Sequence, residues 1–279
     1  MGDTGRGLLG LLSPTLLGQL LRELPRGETL AENVQGGLLT PEFVQRLRGE
    51  GFSGYALAQL KANLAWLAFY KGRLLEAWRQ TDQGSSHGVA AYQATQGELA
   101  GGTLSLYRLS PEAIPPILAL TGGILRAAAL PAGSVVAADL FASLGQEGFT
   151  GALVLEDGSS GQGWYFSRGQ VLFGAEIPGG FGAGRLHMAH TSAEAPPDLF
   201  TVLEQQEQQR QQERLEALWG AAQAVLREYM GRGAVPALER LRRTHTAQDP
   251  GTLGPSLRRW LETSLEPNAA LMFDRLVKG

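Results

Sequence analysis

Two stretches of the chain repeat one another at a fixed offset of 97 residues without a gap. Leu47, Glu50, Gly51, Phe52, Gly54, Phe69, Gly72 and Leu75 recur as Leu144, Glu147, Gly148, Phe149, Gly151, Phe166, Gly169 and Leu172. Identity on one register, with glycines at matching turn positions, indicates duplication of a single supersecondary unit. The chain is therefore expected to fold around two like copies, each opening with a helix and continuing as an antiparallel β-meander.

Each copy carries its own local signals. In the first, Thr40-Pro41-Glu42 starts a short helix with Phe43, Val44 and Leu47 on one side. Strands are predicted at 55–60, 64–70 and 73–79, with Lys71-Gly72 as a two-residue hairpin turn. A polar loop at 80–88 follows, then a strand at 103–109 and a helix start at Ser110-Pro111-Glu112, which Pro115 and Pro116 push later. The second copy reads as a helix at 139–144, strands at 152–156, 163–166 and 170–175, the turn Arg168-Gly169, a glycine-rich loop at 179–184 and a last strand at 185–190.

Helical sequence flanks the copies. Ser13-Pro14 caps a helix bearing Leu17, Leu20, Leu21 and Leu24. Residues 204–214 contain no hydrophobic residue, so they are expected to form an exposed connecting helix or a disordered tether. Beyond them Leu215, Leu218, Trp219, Ala222, Val225, Leu226 and Tyr229 recur at helical spacing, and shorter helices follow at 236–243, 256–265 and 268–277. The expected class is α+β, with an N-terminal helical segment (1–33), copy one (34–122), copy two (123–203), a polar connector (204–214) and a C-terminal helical unit (215–279).

Composition narrows the function classes. A net charge of −3 lacks the positive field that non-specific nucleic-acid binding uses. Zero cysteines exclude disulfides, thiolate metal sites and a cysteine nucleophile. The run from Leu8 to Leu12 is too short to span a membrane, and a cytoplasmic soluble protein is expected.

Catalytic motifs are missing where they would be informative. There is no P-loop, and residues 179–184 neither fit G-x-G-x-x-G nor precede a helix. Ser159 and Ser160 lie in no nucleophile elbow, and no H-E-x-x-H occurs. His187 and His190 stand three apart on a predicted strand, which directs them to opposite faces and argues against a shared metal. Glu50 and Glu147 occupy equivalent helix exits, where a common structural role explains them better than acid–base chemistry. The aromatics Trp66, Tyr70, Trp78 and Trp164 read as core rather than a base-stacking platform. No cofactor and no catalytic residue is expected.

The pattern of a short Leu/Phe helix, G-F-x-G, a strand, an aromatic strand, a basic-Gly turn and a strand ending in a small residue resembles the PATAN domain, the N-terminal module of PatA-type regulators. Phe149, Thr150, Gly151, Leu153, Tyr165, Phe166, Gly169, Val171 and Ala175 carry the resemblance in copy two. Ser53, Gly54, Phe69, Gly72 and Leu74 carry it in copy one, where Trp78 replaces the small residue. It implies a non-enzymatic bacterial regulatory module that binds other proteins, in signalling linked to surface motility or pili.

Two functional expectations result. The first is a scaffolding protein acting through protein–protein contacts, in which the stripe of Leu215, Leu218, Trp219, Val225 and Tyr229 is wide enough either to close its own bundle or to form a homodimer. The second is a sensor that takes a nucleotide or other anion between the copies, using Lys71, Arg73, Arg168 and Arg185.

Overall fold

A computed structural model describes residues 8–38, 40–61, 63–191, 196–245 and 249–278. The chain has the α+β class and divides into two units, Met1–Val202 and Leu203–Gly279.

Two antiparallel sheets form the first unit. One contains β1 (Glu28–Gln35), β2 (Gly54–Leu60), β3 (Asn63–Tyr70), β4 (Arg73–Thr81), β5 (Gly84–His87) and β6 (Thr103–Arg108), in the order β1-β6-β2-β3-β4-β5. The other contains β7 (Ile124–Pro131), β8 (Gly151–Asp157), β9 (Ser160–Ser167), β10 (Gln170–Gly174) and β11 (Arg185–His190), in the order β10-β9-β8-β11-β7. Both are meanders whose closing strand returns to lie between the first strand of the set and the second.

Two helices pack between the sheets. α1 (Pro14–Arg22) starts where the Ser13 hydroxyl accepts from the Leu16 amide at 3.2 Å, and it meets β9 and β4. α4 (Ile114–Gly122) meets β8, β9 and β11 on one side and β3 and β4 on the other. Leu16, Leu17, Leu20 and Leu21 of α1 join Ile117 and Leu120 of α4, Trp66 and Trp78 of the first sheet and Val154 and Tyr165 of the second in one buried core. Burying each such leucine stabilises the fold by about 1.5–3 kcal/mol.

The period of two along each strand sorts its residues to two faces. On β9, Tyr165 turns to the shared core, while Trp164 and Phe166 turn to a second core with Phe149, Leu153 and Phe181. That outer core is closed by α5 (Ala137–Gln146), whose Phe141 lies edge-on to Trp164 with centroids 5.8 Å apart. On the first sheet the outer side is met by α3 (Gly88–Glu98), and α2 (Pro41–Gly49) ends against the β3–β4 turn.

Several expectations change. β1 runs from Glu28 to Gln35, so a boundary between residues 33 and 34 cuts through a strand, and α1 belongs to the main core rather than to a separate segment. Neither β1 nor β7 is legible from alternation, because both are edge strands with little buried surface. The loop expected at 80–88 is instead the end of β4, a tight turn and β5, and it leads into α3.

In the second unit, residues 204–214 are helical and exposed, within α6 (Leu199–Met230), which contains the boundary between the units. Part of their support is local, with Gln209 donating to Glu213 at 2.9 Å and Gln212 to Glu216 at 2.8 Å. α7 (Ala234–Thr244), α8 (Pro250–Ser264) and α9 (Pro267–Lys278) complete the unit. Leu218 and Val225 are buried among Leu238, Leu253, Leu257 and Phe273, with Leu215 and Trp219 partly buried against them. Of the two roles open to the stripe, closing its own bundle occupies most of it, and of those five residues Tyr229 alone is exposed. No described helix is long and apolar enough to cross a membrane.

Candidate functional site

A bulge in β4 sets the geometry of a cleft beside α4. Phe69 pairs with Leu74 and Ala68 with Glu76, which leaves Leu75 without a partner. The extra residue turns both Leu75 and Glu76 towards the sheet face that carries Ala68, where α4 packs. Glu76 thereby enters a cleft of about 210 Å³ walled by Tyr70 and Leu75 from the first sheet and by Leu118, Ala119 and Gly122 from α4. The far wall is tied down where the Thr191 hydroxyl donates to the Pro115 carbonyl at 3.0 Å. The cleft therefore lies between the first sheet and α4.

Glu76 uses its two oxygens differently. Oε1 accepts from the backbone amides of Ala77 at 2.9 Å and Gly88 at 3.0 Å. Oε2 has no partner among the described residues, and an added Cβ on Gly122 would stand 3.9 Å from it. Burial pushes the carboxyl up to about 7, against the pull of the Gly88 and Ala77 amides. Tyr70 is the only other titratable side chain among the described lining residues.

Copy two has the same bulge with different chemistry. Val171 pairs with Phe166 and Phe173 with Tyr165, leaving Leu172 unpaired. Phe173, 97 residues beyond Glu76, stacks on Tyr165 with centroids 4.6 Å apart. A cleft of about 310 Å³ beside it is lined by Leu20, Glu23 and Pro25 at the end of α1, and Gln19 donates to Glu23 at 2.9 Å.

The four cations expected to hold an anion do not converge. Lys71 and Arg168 occupy equivalent turns of different sheets, and the Lys71 ammonium sits 5.1 Å from the centre of the Tyr70 ring. Arg73 donates to the Pro196 carbonyl at 3.1 Å. Arg168 lies at the Gly151 end of β8, whereas Arg185 pairs with Glu156 near its other end, five strand steps or about 17 Å away. None of the four lines the cleft.

The two strand histidines have different partners. His187 is buried and stands 3.1 Å from Glu156 through Nε2, while its Nδ1 accepts from the Ala129 amide at 3.4 Å. His190 meets the Thr191 carbonyl instead, and no group of potential metal ligands occurs among the described residues. Glu50 and Glu147 both cap helix C-termini, and Glu147 pairs with Arg126 at 2.6 Å, in keeping with a structural role.

Sequence reasoning passed over Glu76. Its signal was the segment Leu74-Leu75-Glu76-Ala77-Trp78, where two adjacent leucines break alternation and mark a bulge. Comparison with protein-family models, curated proteins and solved structures gives no significant match for this chain.

Proposed function

We propose that this is a non-enzymatic regulatory protein that senses a small molecule in the cleft between its first sheet and α4. The observation that supports this reading is the carboxyl of Glu76, held in an apolar cleft by two backbone amides with its second oxygen unpartnered among the described residues. A ligand that donates to this open oxygen gains a hydrogen bond in an apolar setting. The chemistry differs from the anion site raised by the sequence, because the described lining residues include a carboxyl and no cation.

The test is a thermal-shift screen of small metabolites on the native chain and on Gly122→Leu. A leucine at position 122 would grow into open space, since its Cβ meets nothing nearer than Glu76 Oε2 at 3.9 Å. Ligands that raise the melting temperature of the native protein but not of the variant support the reading. A screen in which no compound separates the two proteins removes it.

A scaffolding role is the second reading, favoured by one surface. The edge strand β7 exposes Ile124, Leu125 and Leu130, and Val136 beyond it is 62% exposed. The resemblance to PATAN modules points the same way, towards partner proteins in bacterial surface motility. Affinity purification from native cells with the native chain and with Ile124→Asp/Leu130→Asp tests it, the expected result being a partner retained by the first and lost by the second.

A further inference from the structure

The copies diverge at one equivalent position, and the divergence has a chemical direction. Glu76 and Phe173 each follow the unpaired leucine of their bulge. In copy two that place is filled by a ring stacked on Tyr165. In copy one a carboxyl stands there, at a position where an apolar side chain would serve packing better.

The opposite wall has the same electrical sign. α4 ends at Gly122, and Thr121, Gly122 and Gly123 all line the cleft. The last carbonyls of a helix lack intrahelical partners and carry the negative end of its dipole. A carboxyl and a helix C-terminus thus share a cleft into which no described Lys, Arg or His side chain reaches. The basic residues nearest along the chain, Lys71 and Arg73, contact the walls without lining the cleft themselves, Lys71 against the Tyr70 ring and Arg73 on the Pro196 carbonyl.

We infer that the cleft binds a small organic cation, a protonated primary amine on a hydrocarbon body, with its ammonium on Glu76 Oε2 and the last carbonyls of α4 and its hydrocarbon against Leu75, Leu118 and Tyr70. This rests on the sensing role proposed above and adds the class of ligand. Size sets a bound: a cavity of about 150 Å³ takes benzene, so about 210 Å³ suits a body of roughly six to ten non-hydrogen atoms.

Three probes of one shape test it: benzylammonium, benzyl alcohol and benzoate, titrated calorimetrically into the full chain at about pH 8, where an alkylammonium remains protonated. Benzylammonium is expected to bind, benzyl alcohol about tenfold or more weakly, and benzoate not measurably. Glu76→Gln keeps an acceptor oxygen for the Ala77 and Gly88 amides and should lower amine affinity about tenfold, to the level of the alcohol. Gly122→Leu should abolish binding of both.

Equal binding of amine and alcohol, preferential binding of benzoate, or an amine affinity unchanged in Glu76→Gln overturns the cation assignment. If Gly122→Leu still blocks the probe in those cases, the cleft remains a ligand site of another class. Amine binding unaffected by Gly122→Leu places the site elsewhere and overturns the inference. Failure of all three probes to bind the native chain overturns it as well, and only a negative metabolite screen would also remove the sensing role.

Discussion

The amide of Gly72 donates to the carbonyl of Phe52 at 2.7 Å. In copy two Gly169 and Phe149 make the same bond at the same distance. The residues before the glycines follow suit: the Lys71 amide donates to Ser53 Oγ and the Arg168 amide to Thr150 Oγ1, each at 2.9 Å. Both turns are left-handed at two successive residues, with φ of 49° and 79° in one and 51° and 81° in the other, as a tight two-residue hairpin requires. The helix exit, the G-F-S/T-G segment and the hairpin tip are thus bonded into one corner in each copy.

That corner gives a graded prediction. A Cβ on Gly72 would lie 2.5 Å from the Arg48 carbonyl oxygen, and one on Gly169 would press on the carbonyl of Gly145. Gly72→Ala and Gly169→Ala should each destabilise by about 2 kcal/mol or more, combining backbone strain with a clash. Gly51 and Gly148 have φ of 61° and 65° with open space around them, so Gly51→Ala and Gly148→Ala should cost about 1 kcal/mol. Urea unfolding of the four variants checks the order.

A related strain lies on the edges. Ala129 has φ of 52° and its amide donates to His187 Nδ1, while Asn33 has φ of 51° and its amide donates to Ser105 Oγ at 3.0 Å. Left-handed backbone costs alanine about 1–2 kcal/mol, and glycine gives back about 0.5–1 in unfolded-state freedom. Ala129→Gly should therefore stabilise by about 0.5 kcal/mol, whereas Asn33→Gly should be near neutral, because asparagine tolerates this region. Thermal melts of the two variants distinguish the cases.

Glu76 makes stability depend on pH. Its carboxyl rises from 4.5 in the unfolded chain to about 7 in the fold, so the folded state holds the proton more tightly between those values. The contribution is fully present below about pH 4.5 and is lost as pH rises through 7, by up to about 3 kcal/mol. Glu76→Gln should flatten that part of the curve and be the more stable protein at pH 8. Urea unfolding at intervals from pH 5 to 8.5 measures it, and equal slopes for both proteins would count against the assignment.

The polar part of α6 should be dispensable for each unit. Its residues from 204 to 214 are exposed, and Gln209 and Gln212 are bonded to side chains on the same helix, so Gln209→Pro should break the helix there at a local cost of about 3 kcal/mol. Limited proteolysis should then cut between 204 and 214 and release two fragments, each with the melting temperature of its unit in the intact chain. Loss of cooperative melting in either fragment would show that the unit depends on an unbroken α6.

What the sequence alone determined is local and periodic. The offset of 97 residues located the hairpin glycines in both copies, because only a left-handed turn places a glycine after Lys71 and again after Arg168. Helix starts at Ser13, Thr40 and the leucine spacing of α1 were legible for the same reason, since capping and periodicity act over a few residues. The edge strands β1 and β7 were not, because exposed strands bury too little to pattern their sequence, and their pairing partners β6 and β11 lie far along the chain. Leu218 and Val225 announced an apolar stripe, but whether it closed a bundle or met a second chain depended on where α7, α8 and α9 folded back. The cleft was the least legible element of all. Glu76 acquires its environment from a bulge that turns it inward and from the end of α4, some forty-five residues away, and burial of that kind is a property of the packed molecule alone.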